Sequence, residues 1–168
     1  MIDQDFKNYV KNIKRKVGEK AGAIGVYRFT LENPDGSKEV KYYHNLITTV
    51  AFTMIMNNLV DPTPDNDMLI THCLLGSDDT AVAIGDTTLG TETYRNTVAS
   101  MTSAANVAYV TAFFDQTETS GTYKEAGFVS DGSAGADTGI LISHVNIDVT
   151  KSAIQKLTID WTLTLVNA

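Results

Sequence analysis

Polar and apolar residues alternate without a break near the end of the chain. Leu157, Ile159, Trp161, Leu163 and Leu165 fall on one side, and Thr158, Asp160, Thr162 and Thr164 on the other. A period of two is the spacing of a strand with one buried face. The preceding stretch, residues 140–149, repeats it, with Leu141, Val145, Ile147 and Val149 set against His144, Asn146 and Asp148. Further upstream, short apolar runs at 68–76, 92–101, 106–116 and 122–130 predict four more strands. Their connections are a Gly/Asp/Thr loop at 77–91, a turn at Thr119-Ser120-Gly121 and a Gly/Ser/Ala/Asp run at 131–139. Residues 23–32 and 37–44 predict a hairpin around Asn33-Pro34-Asp35-Gly36. Proline presets φ at one turn position there, and glycine accepts a positive φ at a later one.

Two segments carry helical spacing instead. In residues 3–17, Phe6, Tyr9, Val10, Ile13 and Val17 recur every three or four positions, and lysines hold most of the opposite face. Asp3 and Asp5 stand at the positive end of that helix dipole and Lys14, Arg15 and Lys16 near the negative end, the favourable arrangement. A helix of about 15 residues is marginal alone in water, so its apolar stripe needs a partner. Residues 46–59 predict a second helix, with Asn45 as N-cap and Ile47, Val50, Ala51, Met54, Ile55 and Leu59 on one face. Pro62 and Pro64 forbid its continuation.

Seven or eight short strands separated by turns predict a mainly β fold. The expected architecture is an antiparallel β-sandwich, jelly-roll-like, with an N-terminal amphipathic helix and one further helix near 46–59 capping one open end or edge of the sheets. Residues 1–22 are expected to form a helical arm and 23–168 the β-sandwich domain.

Composition fits this picture. The 168 residues are 43% hydrophobic and only 20% charged, with Thr, Ser, Asn and Gly making up the difference. The net charge of −7 is unevenly spread. Residues 1–20 hold six basic and three acidic side chains, a net of +3, so the remainder carries −10. An acidic body argues against general nucleic-acid binding, which needs basic surface to displace counterions. A basic arm on an acidic body suggests docking to an acidic neighbour, including another copy. The N-terminal segment lacks the apolar core of a signal peptide, and no stretch reaches the about 20 apolar residues that cross a bilayer. A soluble protein made in a cytoplasm, without membrane contact, is expected.

Candidate chemistry is sparse. Cys73 is the single cysteine, which excludes an intrachain disulfide and a cysteine zinc site. His44, His72 and His144 are far apart and form no H-x-H or H-E-x-x-H pattern; they are expected on solvated strand faces. No G-x-S-x-G elbow, Walker loop or G-x-G-x-x-G occurs. The acidic groups Asp65/Asp67, Asp78/Asp79/Asp86 and Asp131/Asp137 offer oxygen ligands for calcium without matching its spaced loop pattern, and turn-forming aspartates account for them. No catalytic residue, cofactor or metal site is therefore expected. The segment from Gly85 to Asn96 differs in character. It sets Asp86, Leu89, Glu92 and Arg95 at short fixed intervals before a strand. The planar guanidinium of Arg95 suits a carboxylate such as Asp86 or Glu92, and Leu89 would pin the loop to the core.

Taken in order, these residues carry a likeness. Asn45-Leu46-Ile47-Thr48 opens a helix, a strand ends in Gly76-Ser77, and Asp86 to Arg95 reads D-T-x-L-x-x-E-x-x-R. A strand ending in Phe113-Phe114 follows, then Glu125-Ala126-Gly127-Phe128, Lys151 and a last strand with Trp161. Over about residues 40–166 the chain resembles small β-sandwich structural proteins of tailed bacteriophages, of the tail-fibre, collar or baseplate type. It departs from their pattern at the loop entry, where Gly76-Ser77-Asp78-Asp79 replaces a G-x-G with a following Ala-Pro. The resemblance implies a virion protein without enzymatic activity. It would assemble through contacts with other virion proteins and with itself, as a trimer or hexamer, in the tail, collar or baseplate-fibre region. The structural loop motif would be Asp86, Leu89, Glu92, Arg95, Glu125 and Gly127. The docking arm would use Phe6, Tyr9, Val10, Ile13, Lys14, Arg15 and Val17. Two other addresses fit the same sequence: a decoration protein of the head, and a receptor- or carbohydrate-binding module stacking sugars on Tyr42, Tyr43, Tyr94, Tyr109 and Tyr123.

Overall fold

In the computed structural model, residues 4–17 and 22–166 are described, residues 13–17 by their backbone alone. The elements in chain order are α1 (Gln4–Val17), β1 (Gly22–Glu32), β2 (Lys38–Ile47), α2 (Thr49–Val60), β3 (Ile70–Gly76), β4 (Glu92–Ala104), β5 (Val107–Phe114), β6 (Gly121–Ser130), β7 (Ile140–Lys151) and β8 (Lys156–Val166). The strands are paired antiparallel and close on themselves in the order β1-β2-β7-β6-β3-β4-β5-β8. The expected β-sandwich is thus corrected to an eight-stranded closed barrel. Closure comes from β8, which pairs with β1 on one side and β5 on the other, and from a short link between β2 and β7. Alternation of period two says that one face of each strand is buried; it reads the same whether those faces belong to two sheets or to one closed sheet.

The link between β2 and β7 holds only Leu46 opposite His144 and Ile47 opposite Ser143. Side chains bridge the rest of this seam. The Tyr43 hydroxyl donates to the Asp148 carbonyl and accepts from the Asp148 amide, both at 3.1 Å, and Lys41 Nζ donates to the same carbonyl at 2.9 Å.

The barrel interior is filled by side chains. Trp161 and Phe128 stack at 5.3 Å between ring centroids, and Tyr27 stacks on Phe128 at 5.5 Å. Phe29, Phe114, Leu157 and Ile159 complete the central layers, and Cys73 lies among them, its thiol pushed far above the ordinary range by burial. The Trp161 indole N–H donates to Asn45 Oδ1 at 3.1 Å. A Cβ on Gly25 would strike that same Asn45 side chain, so glycine is what admits the polar pair. Asn45 is therefore a buried strand residue, and the N-cap of α2 is Thr48, whose hydroxyl accepts from the Ala51 amide at 3.3 Å. The helix runs 49–60 instead of 46–59, because Leu46 and Ile47 are held in the ladder to β7. It closes one end of the barrel with Ala51 and Met54 turned into the core.

Two segments cover the outside of the barrel. Against β1 and β2 lies α1, with Phe6 fully buried on Ile24 and Val26 and flanked by Tyr9, Val10 and Tyr42. Tyr42 stacks on both Phe6 and Tyr9, at 5.7 and 4.9 Å. On the far side, Leu89 from the 77–91 loop joins Leu74, Val129 and Leu141 in a second small core. Among the described residues no helix is long and apolar enough to cross a membrane.

Candidate functional site

The 77–91 loop leaves the end of β3 and doubles back over β6 and β7. Its path is fixed by Glu125, a buried carboxylate on β6. Glu125 Oε1 accepts from the Thr91 amide at 2.7 Å and the Asp78 amide at 3.3 Å, and Oε2 accepts from the Gly90 amide at 2.8 Å. Oε2 also lies 2.9 Å from Nε2 of His144 on β7, whose Nδ1 lies 2.7 Å from Asp86 Oδ2. Asp86 also accepts from the Ala83 amide at 2.8 Å, which closes the loop tip. A cavity of about 400 Å³ lies between loop and sheet, lined by Asp78, Thr80, Asp86, Gly90, Glu125 and His144. Asp78 is held below the ordinary carboxylate range by the Thr80 amide and hydroxyl that it accepts from.

Glycines make the close approach possible. A Cβ on Gly127 would come within 2.8 Å of the Ser143 carbonyl and 3.2 Å of Leu89 Cδ2, and one on Gly76 would run into the Glu125 carboxylate. The second part of the motif sits alongside. Arg95 on β4 grips Glu92 in a two-point pair, Nε to Oε1 at 2.5 Å and Nη2 to Oε2 at 2.7 Å, with both side chains almost fully enclosed. Its Nη1 donates to the Ser133 carbonyl at 2.8 Å and Thr138 Oγ1 at 2.9 Å, while Glu92 accepts from the Asp137 amide at 3.1 Å. This pair thereby holds the 131–139 connection.

The sequence-derived loop residues thus share one region. Of the two carboxylates open to Arg95, Glu92 takes it, and Asp86 turns to His144 instead. His144 is buried, as is His72, so the expectation that all three histidines sit on solvated faces is corrected; only His44 is exposed. The reason is the loop and the 131–139 connection, which cover strand faces that the local pattern marks as polar. In the docking arm, Phe6, Tyr9 and Val10 face the chain's own barrel; the side chains of Ile13, Lys14, Arg15 and Val17 lie outside the described residues. The five tyrosines share no face: Tyr123 is buried, Tyr42 is covered by α1, Tyr43 bridges the barrel seam, Tyr94 packs on Phe114 and Tyr109 is half-buried beside α1.

Both nitrogens of His144 face carboxylates, Asp86 on one side and Glu125 on the other. Among the described residues no group of three or more His, Cys, Asp or Glu side chains is placed to hold a metal. The acidic residues serve the backbone: Asp35, Asp61, Asp67 and Asp78 each accept from the amide two positions on. The cluster is a clasp that fastens a long loop to the barrel.

A further feature lies outside the sequence-derived residues. Phe52, Met56, Leu59 and Val60 form a stripe along the outer side of α2, with exposures of 42, 54, 72 and 83%. The signal for it was present in the composition of Thr49–Val60, which holds no charged residue. Thr49, Thr53 and Asn57 form an exposed polar strip beside it, so the outer side of the helix is part apolar and part uncharged polar. The class defined by these observations is a filled, closed antiparallel barrel with a clasped outer loop and an uncovered apolar helix. No family model, curated protein or solved structure matches the chain.

Proposed function

We propose that this chain is a structural, non-enzymatic subunit of a tailed-phage particle, set in the tail, collar or baseplate-fibre region. It works through contacts with other virion proteins and with copies of itself. The observation that carries the proposal is the bare apolar stripe of α2. Contiguous apolar surface on a soluble protein marks a place where another chain binds. The filled barrel supports the same reading, since its interior is packed with aromatic and aliphatic side chains where a carrier barrel would keep a ligand chamber. The likeness to phage structural proteins supplies the class of assembly, and the residues that carry it, Asp86 to Arg95 and Glu125 to Gly127, are those that fasten the loop.

Quantitative mass spectrometry of purified virions from the genome that encodes the chain tests the proposal. A copy number that is a small multiple of three or six is the expected result. Several hundred copies would move the protein to the head shell, and its absence from virions would end the proposal.

A further inference from the structure

The α2 stripe has a counterpart elsewhere on the same chain. Between α1 and the outer faces of β5 and β8 runs a groove of about 240 Å³. Its walls are Phe6, Val10, Val107 and Tyr109, and Lys7 and Lys11 stand on its rim, both exposed. The stripe ends in charge of the other sign: the segment that follows Val60 carries Asp61, Asp65 and Asp67, all exposed. One surface is therefore an apolar ridge with an acidic end, and the other an apolar hollow with a basic rim.

The two surfaces are built on different elements of the chain. Helix α2 packs against β7, and the groove lies over β5 and β8. In the closed order β1-β2-β7-β6-β3-β4-β5-β8, β7 is four strands from β5 and three from β8. Two different surfaces that complement each other can join successive copies head to tail. Such a contact generates a ring if the rotation between copies closes, and a filament if it does not.

We infer that the occupant of the groove is the α2 ridge of a second copy of this chain, steered by Asp61 and Asp65 toward Lys7 and Lys11. The inference rests on the assembly reading above and adds the surfaces that mediate it. The two fail separately: a virion protein can be a monomer before it joins the particle, and a self-associating chain can be absent from virions.

Charge reversal tests it on the full-length protein. Sedimentation and light scattering are expected to show an oligomer larger than a dimer, weakened by added salt because exposed charges are screened. The variant K7E/K11E and the variant D61K/D65K are each expected to run as monomers. All four positions are exposed, and circular dichroism confirms that each variant is folded. Mixing the two variants in equal amounts is expected to restore the oligomer, since each then meets the opposite charge. A wild-type chain still monomeric at about 1 mM, where even a weak specific contact forms, would overturn the inference. So would a symmetric α2-to-α2 dimer, which K7E/K11E would leave intact, or a failure of the mixture to reassociate.

Discussion

Glu125 is the residue on which the outer loop depends. It takes hydrogen bonds from three backbone amides and lies against His144, with its side chain buried. Removing one partner of a buried hydrogen bond leaves the other to bear its desolvation cost, about 1–3 kcal/mol each. Glu125→Ala is therefore expected to lower unfolding free energy by about 3 kcal/mol or more, and Glu125→Gln by less, in urea titrations. Equal losses for the two would contradict the clasp. His72 gives a second test at this scale. Burial, with Arg95 nearby, holds its pKa below the ordinary histidine value, and its Nδ1 has no partner among the described residues. Between the folded and unfolded pKa values the unfolded chain binds more protons, so stability rises with pH there. The His72 contribution is full above about pH 6.5 and is lost on acidification below it. His72→Gln is expected to flatten part of that slope, read from midpoints between neutral and mildly acidic pH. An unchanged slope would mean that the imidazole charges as readily in the folded chain as in the unfolded one.

The elements show where sequence patterns inform and where they stop. The alternating stretch 156–166 folds as a strand, and its inward residues Leu157, Ile159 and Trp161 are buried in the core. Yet Leu165, one residue from the end of the strand, is half exposed, while Thr162 and Thr164 are buried, where α1 lies beside the outer face. The polar side of a strand says nothing about what will be laid on it later. His144 was hidden for the same reason: a histidine among alternating residues reads as solvated until a loop 58 positions upstream in sequence closes over it. The start of α2 was misplaced because helical spacing and the end of a strand overlap at Leu46-Ile47, and pairing to β7 decides the outcome. Two predictions belong here. Tyr43 replaces part of the missing ladder between β2 and β7, so Tyr43→Phe is expected to cost about 1 kcal/mol and to speed amide exchange in both strands. Faster exchange spread evenly over all eight strands would contradict a local seam. Phe6→Ala is expected to cost about 3 kcal/mol by uncovering Ile24, Val26 and Tyr42, seen as a lowered melting temperature together with dye binding to the exposed face. Loss of stability without dye binding would mean that α1 stays seated without its anchor.

For the molecule as a whole, closure into a barrel pairs the strand edges by which open sheets aggregate, except along the seam where β2 and β7 share only two residue pairs. Surface patches such as the α2 stripe are the other means of association. The sequence made the strands, both helices and the loop motif legible, because each is written in local spacing. Closure was not legible, since it depends on β8 meeting both β1 and β5, contacts that span most of the chain. The outward stripe of α2 is legible in its lack of charge, although one apolar face is all that core packing requires. The measurement that bears most directly on the whole account is a reconstruction of the virion in which this barrel is located. The account predicts a small symmetric set of copies in the tail region, each with its α2 ridge covered by a neighbouring chain. A map in which α2 faces open solvent in every copy would contradict it.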